Sequence, residues 1–126
     1  MSEDKGRLSF SLKRRRVLIH RSTLRALGRP QGIRFLLNTG SGKVAVQSCE
    51  VTDRDSFVVP DLKPKENYDI SSVSFLQVVY KLAGWDPVKT YRVEGNVFEN
   101  GHLVEFILKD AVVISDEEFV DTDADA

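Results

Sequence analysis

Apolar residues along this chain alternate with polar ones in short runs, and glycine and proline mark the breaks. Leu8, Phe10 and Leu12 interleave with Ser9, Ser11 and Lys13, the period-two pattern of a half-buried strand. Val17, Leu18 and Ile19 predict a second strand over 16–20, because branched side chains suit a pleated surface. Ser22 or Thr23 offers a helix cap, with Leu24 and Leu27 three residues apart on one face. Gly28 then stops the helix and Pro30 prevents its resumption. Strands follow over 33–38 and 43–48, joined by the hairpin turn Thr39-Gly40-Ser41-Gly42, and a short strand over 56–59 ends at Pro60. Residues 62–67, with Pro64 and several charges, are the most linker-like stretch.

The pattern then recurs. A short extended entry over 68–70 leads to Ser71 or Ser72 as a cap. Val73, Leu76, Val79, Tyr80 and Ala83 follow at helical spacing, and Gly84 closes the helix. Strands are predicted over 90–95, 102–108 and 111–114, with a hairpin turn at Asn100-Gly101. Gly28 aligns with Gly84, Pro30 with Pro87, and Phe35 and Leu37 with Tyr91 and Val93. Each half reads strand, helix, strand, strand, strand, which points to an internal repeat. The expected organisation is a flexible segment 1–6, a single α+β domain over 7–115 with halves 7–60 and 67–115, and an acidic tail over 116–126. That tail is read as disordered or loosely docked.

This duplicated β-α-β-β-β order, over about 16–115, resembles a single domain of the DNA sliding clamps, the processivity rings of replication. The resemblance implies two helices packed on antiparallel sheets with pseudo-twofold symmetry. It also implies helix cations facing DNA, which would fall on Arg21 and Arg25 in the first helix and Lys81 in the second.

Composition narrows the class. The 126 residues, 41% hydrophobic and 29% charged, suit one globular domain and are too apolar for a disordered chain. Cys49 is alone and cannot form an internal disulfide, which fits a reducing compartment. No apolar run approaches the roughly 18 residues of a membrane span, and no apolar stretch follows the N-terminal charges as a secretory signal requires. A cytoplasmic protein without membrane contact is the expectation.

Charge changes the picture more. The net charge is −1, yet residues 1–45 carry 11 Lys or Arg against Glu3 and Asp4, whereas 46–126 carry 7 against 17 acids. The candidate site is the basic group Lys13, Arg14, Arg15, Arg16, Arg21, Arg25, Arg29 and Arg34, with His20 among them. Clustered cations serve phosphate, and Arg adds bidentate geometry. Arg21 and Arg25 lie one helical turn apart and share a face; if 13–16 were strand, its side chains would alternate between faces. The acidic tail can solubilise, fold back on the basic face and compete with a polyanion, or meet the basic face of a neighbouring chain.

Catalytic chemistry finds little support. Ser22 lies two residues after His20, but no orienting acid is near in sequence. No phosphate-loop, nucleophile-elbow, zinc or dinucleotide motif occurs. Gly40-Ser41-Gly42-Lys43 reads as a turn, Asp53, Asp55, Asp61 and Asp69 lack metal-ligand spacing, and Trp85 reads as a cap on the core. Neither a catalytic residue, a metal nor a cofactor is predicted. The first expectation is a non-enzymatic, DNA-associated accessory protein gripping backbone phosphate. The alternative is a protein-interaction or self-assembling scaffold module without nucleic-acid binding, so DNA and a second copy of the chain are the partners considered.

Overall fold

The computed structural model describes residues 5–62, 68–98 and 101–120. Nine strands and three helices run in the order β1 (Arg7–Ser11), β2 (Arg16–Ile19), α1 (Arg21–Ala26), β3 (Gly32–Asn38), β4 (Lys43–Cys49), β5 (Phe57–Val58), β6 (Tyr68–Ile70), α2 (Val73–Ala83), β7 (Thr90–Phe98), β8 (Leu103–Ile107), β9 (Val112–Ile114) and α3 (Asp116–Val120). The protein is α+β and mostly antiparallel sheet, curled into a half-barrel. The strands are ordered β5-β3-β4-β8-β7-β1-β2-β6, with β9 also on β7. The curl brings the two end strands together: the Tyr68 hydroxyl on β6 donates to the Val58 carbonyl on β5 at 3.1 Å.

β7 is the pivot of the sheet. Its first half pairs with β1 from Arg7↔Glu94 to Ser11↔Thr90, and its second half pairs with β8 from Gly95↔Phe106 to Phe98↔Leu103. The strand changes partner at Gly95, where the backbone N–H turns to the Gly6 carbonyl at 3.0 Å. A Cβ at Gly95 would lie 2.5 Å from Val104 Cγ1 and 2.7 Å from Phe106 Cε2. Only glycine lets the strand pass this close to the packed side chains of β8.

The sheet's concave side holds the core: Leu8, Phe10, Val17, Ile19, Ile33, Val44, Val46, Val104 and Phe106 are all fully buried. α2 closes it with Leu76, Val79 and Tyr80, each worth roughly 1.5–3 kcal/mol when removed from water. Gly84 ends α2 at φ +68°, a left-handed conformation that glycine takes without steric cost. Trp85 follows, stacked on Tyr91 at 4.3 Å and edge-on to Tyr80 at 5.2 Å, so it does cap the core. A second small cluster, Leu18, Ile114 and Phe119, lies apart from it. That explains the unbroken run Val17-Leu18-Ile19: both faces of β2 are covered.

Two local expectations change. α1 starts at Arg21, so Thr23 lies inside the helix instead of capping it. Its hydroxyl accepts from the Arg7 N–H and donates to the Arg7 carbonyl, both at 2.7 Å, clamping α1 to β1. The tail does not begin as loose chain. The Ser115 hydroxyl accepts from the Glu118 N–H at 3.1 Å and Glu118 Oε1 from the Ser115 N–H at 3.0 Å. That capping box starts α3 and buries Phe119. Residues 121–126 and Asn100 of the expected hairpin turn lie outside the described residues, as do 1–4 and 63–67.

Candidate functional site

The eight predicted cations fall in three places. Lys13, Arg14 and Arg15 occupy the tight turn between β1 and β2, and Arg16 is the first residue of β2. Arg15 is left-handed at φ +60°, its N–H donates to the Leu12 carbonyl at 3.1 Å, and the Arg14 N–H donates to Ser11 Oγ at 3.3 Å. Because 13–15 is turn and not strand, the alternation of faces considered for it does not arise, and all four side chains are exposed.

Their neighbours are acidic. Lys13 Nζ reaches Asp116 at 3.0 Å, Arg14 reaches the same carboxylate at 3.8 Å, and Arg16 reaches Asp69 at 3.7 Å. The Arg14 guanidinium also sits 5.8 Å over the Phe119 ring, within cation–π range. The hydrogen bond from Lys13 holds the Asp116 carboxyl below its usual range, aided by the Lys13 and Arg14 charges. Among the described residues Arg15 has no ion pair.

The second place is a groove of about 350 Å³ beside α1. Arg21 and Arg25 reach it from successive helical turns, and Arg29 reaches it from the loop beyond. Gly28 at φ +77° and Arg29 at φ +54° make the consecutive left-handed residues that turn the chain there. The Arg29 N–H donates to the Leu24 carbonyl at 2.8 Å, folding the loop back onto α1. Leu24, Pro30, Val59, Pro60 and Leu62 form apolar wall, and Gln31 and Asp61 complete the lining. Three arginines lining one partly apolar groove form a surface suited to an anion whose flank is apolar, such as phosphate on a sugar.

β2 connects the two places. Arg21 lies five positions after Arg16, roughly 16 Å of extended chain, so the turn and the groove sit at opposite ends of one strand. The third place holds Arg34 alone. It lies on β3, and its Nε donates to Gln47 Oε1 across the hairpin at 2.7 Å.

The groups considered for catalysis are placed differently. Ser9, not Ser22, meets His20, with Ser9 Oγ 2.8 Å from His20 Nε2. Both residues are buried, at 0% and 1% exposure, so the pair is closed off from solvent. Antiparallel pairing of β1 with β2 brings them together across 11 residues, a contact no local motif announces. Ser22 Oγ is buried without a hydrogen-bond partner among the described residues. Gly40 and Ser41 donate their N–H groups to Asn38 Oδ1, both at 3.1 Å, in an Asx-stabilised turn. Burial pushes the Cys49 thiol up, with the Asp53 carboxylate adding to it. No cluster of three His, Cys, Asp or Glu occurs among the described residues, and no helix among them is long and apolar enough to cross a membrane.

No protein-family model matches this chain, and neither the curated proteins nor the solved structures gave a match.

Proposed function

We propose that this protein is a non-enzymatic, DNA-associated accessory protein that grips backbone phosphate through the Arg21–Arg25–Arg29 groove, with the cations of the β1–β2 turn as a second contact. The observation that carries the reading is the convergence of three arginines on one groove with an apolar wall. Contacts of this kind position a protein on nucleic acid without reading its sequence. The order β2-α1-β3-β4-β5 is repeated by β6-α2-β7-β8-β9, and β5 lies on β3 as β9 lies on β7. That repetition supports a duplicated unit of the clamp type, with α1 and α2 as its paired helices. Lys81, exposed near the end of α2, is the counterpart of the α1 arginines. On this reading the protein works in the cytoplasm.

The test is anisotropy of a labelled 30-base duplex, and of its single strand, across a salt series. Binding that weakens with a slope of about −0.9 per phosphate engaged is expected for the duplex. Replacing Arg21 and Arg25 by Ala together should flatten that slope by about two phosphates' worth. An unchanged affinity and slope in the double variant would refute the assignment.

One observation favours self-assembly as a second reading. Val112 and Val113 on β9 are 52% and 57% exposed, and Val58 on the end strand β5 is 63% exposed. Apolar strand edges pair readily with another copy of the same edge. Light scattering separates the two readings, since a monomer at working concentration excludes the second.

A further inference from the structure

The sheet and α3 meet at a surface whose chemistry is split in two. Phe119 is buried against Leu18 and Ile114, which ties α3 to the fold through an apolar contact. Around that anchor the contact is ionic on both sides. Asp116 faces Lys13 and Arg14 of the β1–β2 turn, and Glu118 faces Arg92 of β7 at 4.0 Å. The carboxylates therefore occupy positions next to cations that a phosphate group would take. The ion pairs are half-exposed and contribute little by themselves. The aromatic anchor keeps them in place, and the capping box orders the short helix locally.

We infer that the β1–β2 turn is a polyanion-docking surface whose resident occupant is α3, and that a nucleic-acid backbone binding there displaces the helix. The inference rests on the phosphate-binding reading above and adds regulation to it. α3 carries three acidic side chains and one aromatic in five residues, a short internal mimic of a polyanion held at high effective concentration by its tether. Duplex affinity is then reduced by the fraction of molecules in which α3 is docked. Among the described residues α3 does not line the groove of Arg21, Arg25 and Arg29, so its docking bears on the turn's share of binding.

The test compares three variants of the full chain for duplex binding at low salt. Asp116→Ala removes the carboxylate shared by Lys13 and Arg14. Glu117→Ala removes the same charge from an exposed position with no ion pair among the described residues. Phe119→Ala removes the anchor. Phe119→Ala is expected to tighten binding about tenfold, and Asp116→Ala to tighten it more than Glu117→Ala. Should Phe119→Ala fail to fold, the Asp116→Ala and Glu117→Ala pair carries the comparison. Amide exchange of 116–119 in the wild type is expected to speed up when duplex is added. Equal gains for Asp116→Ala and Glu117→Ala, with α3 exchange unmoved by duplex, would overturn this inference alone. Absence of duplex binding in every form would overturn the phosphate reading and this inference with it.

Discussion

Replacing Tyr80 by Phe removes one hydroxyl from the seam where α2 meets the sheet. That oxygen lies 2.7 Å from the Lys89 carbonyl and 3.0 Å from the Phe10 carbonyl, and it accepts from the Leu12 N–H at 3.2 Å. A hydroxyl has one proton, so it donates to one carbonyl at a time while accepting from Leu12. Two hydrogen bonds are lost, each worth about 1 kcal/mol net. The phenyl ring keeps the packing against Trp85 and Tyr91, so the expected loss is about 2 kcal/mol. Urea unfolding followed by Trp85 fluorescence measures it. With a slope near 2 kcal/mol per molar, the midpoint should fall by about 1 M.

The same hydroxyl gives a second readout. Burial pushes the Tyr80 pKa up to about 12 from its ordinary 10.0, against the opposing pull of the Leu12 hydrogen bond. A phenol whose folded pKa is raised stabilises the fold fully below pH 10, and the contribution is lost as pH rises toward 12. At about 1.4 kcal/mol per unit, the wild type should lose roughly 2–3 kcal/mol across that window from this residue. The Tyr80→Phe variant lacks this term, so the two proteins should converge in stability at high pH. A variant within 0.5 kcal/mol of wild type at pH 7, or a gap that does not narrow, would refute the reasoning.

Gly95→Ala should destabilise by about 3 kcal/mol or more, because the new methyl meets Val104 and Phe106 inside contact distance; thermal unfolding would show a lowered midpoint, and an unchanged one would mean β7 can shift at its pivot. Cys49 should alkylate more slowly than a free thiol at pH 8, since its raised pKa leaves less thiolate, and a rate equal to that of a model peptide would contradict the placement. The Glu118 carboxyl is held below its usual range by the hydrogen bond from the Ser115 N–H, and Asp116 by that from Lys13. The ionic part of α3 docking should therefore be complete above the ordinary carboxylate range and be lost only as pH falls below that range, through the depressed values of these two groups. Amide exchange at Phe119, corrected for intrinsic rate, should report that loss in acid, and none in the Asp116→Ala, Glu118→Ala double variant.

Much of the element order was legible because local rules produce it. Period-two alternation marked β1 and β4, helical spacing marked α2, and Gly84 ended that helix where a left-handed residue was needed. α3 was equally local: Ser115 and Glu118 have capping-box spacing, and a reading by charge alone passed over them. The basic residues were visible as a list, but their grouping was not. Pattern placed Arg21 and Arg25 on one face, yet the bend at Gly28 and Arg29 brings Arg29 to them, while β3 carries Arg34 away.

The sequence by itself determined the elements, their punctuation and the charge asymmetry, since these depend on side chains a few residues apart. Tertiary structure alone decided which strands are neighbours: the partner change of β7 at Gly95, the buried Ser9–His20 contact, and the seating of Phe119 on Leu18 and Ile114. Ser9 and His20 are 11 residues apart, and Leu18 and Phe119 are 101. Such contacts are selected by the shape and burial of the whole fold, and a period of two or 3.6 residues carries no record of them.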